Sequence, residues 1–169
     1  PGFGECEGSA PPESILVSSQ AAWEHWQELY ANQLTPQIGI LGHSLGAAAA
    51  LQLAKIIPVE RVVLLSPFTS VADMVKKMFG SWLIPLLQHR FENRGPLMQL
   101  LKRDPPPSIT IIHGTRDEVI PVEMGRQLAA LNSEHIHYHE LIHSYHNTIL
   151  QDALPMVLQE LQTIRELSD

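Results

Sequence analysis

The residue types best suited to covalent chemistry fall at Ser44, Asp117 and His146. Gly42-His43-Ser44-Leu45-Gly46 fits the pattern G-x-S-x-G, in which the serine occupies a strand-to-helix turn tight enough to strain its backbone. Side chains two residues to either side would collide, which calls for small residues at 42 and 46. A serine placed this way exposes its hydroxyl above a sheet edge, at the start of the next helix. There the backbone N–H of Leu45, aided by the helix dipole, can stabilise an oxyanion. A hydroxyl is a weak nucleophile without a base, and the base needs an orienting carboxylate. With a G-x-S-x-G turn these partners follow in the order acid, then histidine. Asp117 lies in His113-Gly114-Thr115-Arg116-Asp117-Glu118-Val119-Ile120-Pro121, with Glu118 as an alternative acid. His146 lies ahead of the final helix, and His143 competes with it for the role of base.

These positions make sense only if particular elements hold them. Gln37 to Leu41, Arg61 to Leu65, Ser108 to Ile112 and Ile136 to Ile142 are short apolar or β-branched runs of strand length. Between them, Ala47 to Ile57, Val71 to Phe79, Pro96 to Leu101 and Pro121 to Leu131 have helical character. A first helix is expected from near Glu13 to about Asn32, with Leu16, Ala22, Trp23, Trp26, Leu29 and Tyr30 on one face. A last one is expected from Asn147 to Glu166, with Leu150, Leu154, Val157, Leu158, Leu161 and Ile164 on one stripe. Strands alternating with amphipathic helices imply an α/β fold, a parallel sheet of about four strands flanked by helices. In open parallel sheets, sites gather at the carboxyl ends of the strands. Ser44, Asp117 and His146 all fall at that edge.

The Gly42-to-Gly46 turn, the His113-to-Pro121 segment and His146-Asn147 together resemble the α/β-hydrolase superfamily, and the likeness extends over essentially the whole chain. Gly2-Phe3-Gly4-Glu5-Cys6-Glu7-Gly8 is similar to the family's R-G-Y-G-x-S-x-G loop, with cysteine where serine is usual. Ser66-Pro67-Phe68-Thr69-Ser70 resembles a segment of its esterase, thioesterase and serine-aminopeptidase-like members. The resemblance implies a serine hydrolase acting on an ester, thioester or amide. Ser44 would be the nucleophile, His146 the general base and then acid, and Asp117 the group that fixes the imidazole tautomer. It implies no cofactor and no metal. It also implies strands ahead of the Gly2-to-Gly8 loop that carry a second oxyanion donor. The chain therefore reads as a single, N-terminally truncated α/β-hydrolase domain, its C-terminal portion, with a helical cap segment at about 68–102. On its own it is expected to be inactive or poorly folded, with the strand near Ile40 as an apolar edge. The reading from a different class is a non-catalytic binding module of the same fold.

Composition narrows the remaining choices. The chain of 169 residues is 44% hydrophobic and 17% charged, ordinary for a globular domain with a core. A formal net charge of -7 argues against a general affinity for nucleic acid or anionic membrane, and the resemblance implies a small-molecule or acyl substrate. Cys6, the single cysteine, cannot form an internal disulfide and reads as a replaced serine. No run of apolar residues is long enough to span a membrane, and the first residues lack the parts of a signal peptide, so a cytoplasmic location is expected. Phe68, Met74, Met78, Phe79, Trp82, Leu83, Ile84, Leu86 and Leu87 read either as a roof over the site or as ordinary core, with membrane contact a third option. His135, His137 and His139 alternate along the fourth strand, as either a metal-binding row or the solvent face of an edge. Oligomeric state is not legible.

Overall fold

The computed structural model describes residues 5, 7, 11–30, 38–87 and 90–166, with side chains described as far as residue 160. Cys6 and most of the Gly2-to-Gly8 loop lie outside the described residues. Strands β1 (Gly39–His43), β2 (Arg61–Leu65), β3 (Ser108–Gly114) and β4 (Ile136–Leu141) form a parallel sheet in the order β1-β2-β3-β4. The register puts His43 opposite Leu65, Leu65 opposite Ile112, and Gly114 opposite Leu141.

Alternation along each strand divides the core in two. Val62, Leu64, Ile109, Ile111 and Ile136 point to one face. There they meet Ala47, Ala50, Leu51 and Ala54 of helix α2 (Leu45–Ala54). Leu97 and Leu100 of α4 (Arg94–Leu100) and Leu128 of α5 (Val122–Ala129) complete that layer. Val63, Leu65 and Ile112 point the other way, against Ile149, Ala153 and Val157. Those three belong to, or lie between, α6 (Ile149–Asp152) and α7 (Leu154–Glu166). Burial on both faces explains why β2 and β3 are continuous apolar runs instead of alternating ones.

A third apolar cluster sits toward the carboxyl ends of the strands. It joins Phe68, Phe91, Ile120, Met124 and Ala48, with Met74 of α3 (Val71–Phe79) packed against it. Ser70 caps α3 by accepting a hydrogen bond from the Asp73 N–H at 2.9 Å, which fixes where that helix starts. The stretch after Phe68 is therefore mixed. Phe68 and Met74 belong to core, whereas Met78, Phe79, Trp82 and Leu86 are exposed.

Three differences from the sequence reading have physical causes. Strand β1 runs further toward the turn than expected, because Gly42 and His43 still pair with Leu64 and Leu65, and Gln37 lies outside the described residues. The final helix is divided at Ala153, next to Pro155, which has no N–H to give an earlier carbonyl. Of the expected stripe Val157 is buried, together with Ile149 and Ala153, while Leu150, Leu154 and Leu158 are exposed and the side chains of Leu161 and Ile164 lie outside the described residues. Helix α1 (Pro12–Leu29) does form, but none of its residues is fully buried and Leu29 faces solvent. It is held through Trp23 and Ile15, and Trp23 stacks on Trp26 with ring centroids 5.2 Å apart. Among the described residues no helix is long and apolar enough to cross a membrane.

Candidate active site

Ser44 follows β1 directly and precedes α2, with φ 55° and ψ -120°. These angles lie outside the ordinary right- and left-handed wells for an L-residue. The turn is tight enough to create them because Gly42 lies against the start of α2. A Cβ at 42 would come 2.7 Å from the Ala47 Cα and 2.8 Å from the Ala50 Cβ. The expected crowding at position 46 is not found: a Cβ on Gly46 would meet nothing within 4 Å among the described residues. The amide of Ser44 continues the sheet ladder, donating to the Leu65 carbonyl at 3.0 Å. Leu45 opens α2, so its N–H has no carbonyl one turn back within the helix.

Asp117 lies just past the end of β3, its side chain shut off from solvent. One carboxylate oxygen, Oδ1, accepts the backbone N–H groups of Val119 at 3.0 Å and Ile120 at 2.7 Å. His146, in the loop after β4 and 6% exposed, brings its Nδ1 to 3.0 Å from Oδ1 and 2.9 Å from Oδ2. An ionised carboxylate only accepts, so Nδ1 carries the proton and Nε2 is left as the basic nitrogen. Burial alone would raise the Asp117 pKa. Hydrogen bonding from the His113 ring, the Ser66 hydroxyl, the Ile120 N–H and the His146 ring outweighs it and holds the carboxyl well below the usual carboxylate range. Distances grade those contacts. The Ile120 and His146 bonds are short, His113 Nε2 is 3.5 Å from Oδ2, and the Ser66 hydroxyl is buried without a direct hydrogen bond among the described residues.

Two neighbours support Asp117 that were not singled out in the sequence. His113, fully buried, donates from Nε2 to the Ile120 carbonyl at 2.9 Å, leaving Nδ1 without a partner. Gly125 makes room for that ring, since a Cβ there would lie 2.5 Å from Nδ1. Ser66, at the end of β2, has φ 44° and a buried hydroxyl. The H-G-x-x-D string pointed to His113 and the Ser66-to-Ser70 resemblance to the neighbourhood of Ser66, without a role for either, and nothing local marked Gly125.

The competing candidates fall elsewhere. Glu118 accepts the backbone N–H of His146 at 3.3 Å and not the ring. His143 is exposed with φ 74°, and its own N–H donates to Thr115 Oγ1. His137 and His139 face solvent on β4, the sheet's other outer strand, and His135 precedes that strand. No group of three or more His, Cys, Asp or Glu among the described residues is placed to hold a metal ion.

Ser44, Asp117 and His146 thus share the carboxyl edge of the sheet, and the structure joins the last two directly. Among the described residues neither Ser44 Oγ nor His146 Nε2 has a hydrogen-bond partner. The two segments meet through His43. Its Nε2 is 3.1 Å from the His146 carbonyl oxygen, and the two rings lie 4.7 Å apart at 39°. Burial, then the nearby charge of His146, lowers the His43 pKa.

Comparison with known proteins places this architecture. No family model matches the chain. An uncharacterised protein of Mycobacterium tuberculosis is 29% identical over 133 residues, covering 79% of this chain and 46% of that protein. Overall, the chain spans about half or less of the length of the curated relatives it matches. Among solved structures, a carboxylesterase of the thaumarchaeon Nitrososphaera gargenis superposes with TM-score 0.65 at 12% identity, over 97% of this chain and 76% of that one. An esterase from Rhodococcus superposes with TM-score 0.61 at 16% identity, over 98% of this chain and 78% of that one. Strand order, the helices on both faces and these likenesses lead to one conclusion: the chain has the fold of the α/β-hydrolase superfamily.

Proposed function

We propose that the protein is a serine hydrolase that cleaves a carboxylic ester, thioester or amide through an acyl-enzyme on Ser44. The observation that carries this reading is the Asp117–His146 pair, joined through Nδ1 at 2.9 Å on the sheet edge where the strained Ser44 turn stands. Asp117 keeps the proton on Nδ1, so Nε2 is free to take the proton of the Ser44 hydroxyl as its oxygen attacks the acyl carbon. The N–H of Leu45 supports the oxyanion that forms. When the tetrahedral adduct collapses, the leaving group departs with the proton from His146. Water then attacks the acyl-serine, giving its proton to the same nitrogen, and release of the acid returns that proton to Ser44. Each step conserves the groups present, and none of them requires a cofactor. The substrate class is small-molecule or acyl, in keeping with the esterases that share the fold.

A serine-reactive fluorophosphonate tests the assignment. Labelling of the purified protein that disappears in Ser44→Ala and slows in His146→Ala is the expected result. A full-length protein that is not labelled would favour a non-catalytic module of the same fold, and labelling that survives Ser44→Ala would mean that Ser44 is not the nucleophile.

A further inference from the structure

His43 stands outside the three roles just assigned, yet it is the residue that links their two ends. The sheet order is β1-β2-β3-β4, so the loop carrying His146 leaves from the strand farthest from Ser44. Three strand spacings of about 4.8 Å make a gap on the order of 14 Å that this loop must cross. Asp117, at the end of β3, secures the imidazole partway across. The remaining distance to β1 is closed by His43, the last residue of that strand and the neighbour of Ser44. A carbonyl oxygen carries no proton, so His43 Nε2–H donates to the His146 carbonyl at 3.1 Å, while its ring lies against that of His146.

We propose that His43 is a positioning residue, which ties the backbone of His146 to β1 and thereby sets the separation between the His146 imidazole and Ser44. Its catalytic consequence rests on the acyl-transfer reading above; the tie itself does not. Two features support the assignment. The tie needs a proton on Nε2, and a neutral imidazole can carry it there without a positive charge. Burial and the proximity of His146 both disfavour a cation at His43, so the neutral ring is the form favoured there. A neutral His43 also places no positive charge beside the imidazolium that forms on His146 during acyl transfer. The side chain does all this from a position that the G-x-S-x-G pattern leaves open to any residue.

The experiment compares His43→Phe, which keeps a ring but loses the donor, with His43→Gln, whose amide nitrogen occupies a position similar to Nε2. Two readouts are taken on the protein: kcat and KM for an activated ester, and the solvent-exchange rate of the His146 Nδ1 proton by NMR. In His43→Phe, kcat falls on the order of 10²-fold with little change in KM, as expected for a small misplacement of a reacting group. Its Nδ1 proton exchanges faster because the His146 backbone has lost an anchor, and His43→Gln restores most of both. Unchanged exchange in His43→Phe overturns the tie, whatever the activity. Faster exchange with unchanged kcat overturns the positioning role. An activity that survives Ser44→Ala would overturn the acyl-transfer reading instead, and the exchange rates would still decide the tie.

Discussion

Replacing Ser44 by glycine should make the protein more stable, and replacing it by alanine should not. At φ 55° and ψ -120° the Ser44 Cβ is carried in a backbone conformation that glycine adopts freely. A residue held in such a region costs about 1–3 kcal/mol. Glycine removes that strain but gives back about 0.5–1 kcal/mol through the greater freedom of its unfolded chain. The difference leaves Ser44→Gly more stable than Ser44→Ala by about 1 kcal/mol, the middle of a range from about 0 to 2.5 kcal/mol. Both variants lose the hydroxyl, so the comparison isolates the backbone from any polar contact. Neither change disturbs the ladder bond from the residue-44 amide to the Leu65 carbonyl, which belongs to the main chain. Equilibrium unfolding in urea, followed by far-UV circular dichroism, reads the difference as a shift in midpoint at constant slope. An alanine variant as stable as the glycine variant would show that the turn is unstrained, and the steric case for a sharply exposed serine would fall.

Asp117→Asn should reduce turnover by about 10⁴-fold while leaving the fold intact. Oδ1 accepts the Val119 and Ile120 N–H groups, so the asparagine oxygen must take that place. Its NH₂ then faces His146 Nδ1, which must become the acceptor and give up the basic Nε2; ester hydrolysis within tenfold of wild type would contradict this. The same substitution tests acid stability. A carboxyl held below its ordinary value of about 3.9 adds stability above that pH and loses it as the pH falls toward the folded-state value. Urea midpoints of the parent should therefore drop more steeply than those of Asp117→Asn below about pH 4. Gly42→Ala presses a methyl onto the backbone of α2 and should cost about 1–3 kcal/mol or more, measured by the same unfolding. Gly125→Ala drives a methyl against His113 Nδ1 and should have a cost of similar size, about 1–3 kcal/mol, together with a shifted His113 ring resonance.

How much of this was legible in the sequence depends on the range of the interaction. Strand β2 and helix α3 run over the residues that their local patterns mark, because apolar runs and the Ser70 cap are short-range signals. The α6–α7 stripe was not legible in the same way. Ile149-Ala153-Val157 and Leu150-Leu154-Leu158 have the same spacing, and packing against Val63, Leu65 and Ile112 selects the first although the second is richer in leucine. The same distinction holds at the site. Ser44, Asp117 and His146 are marked by a turn pattern, a string and an order along the chain, all readable from neighbours. His43, His113 and Gly125 act across gaps between elements, and only the folded sheet brings them to their partners.

The bond from the Ser44 amide to the Leu65 carbonyl has a consequence for motion. It extends the β1–β2 ladder to the serine itself, so a backbone excursion at 44 requires unzipping the end of the sheet. His146 instead sits in a turn between β4 and α6, where side chains and not a ladder hold its backbone: Glu118 accepts its N–H and His43 donates to its carbonyl. The two ends of the site are therefore held by different means: the serine by the end of the sheet ladder, the histidine by side-chain ties that a single substitution can release.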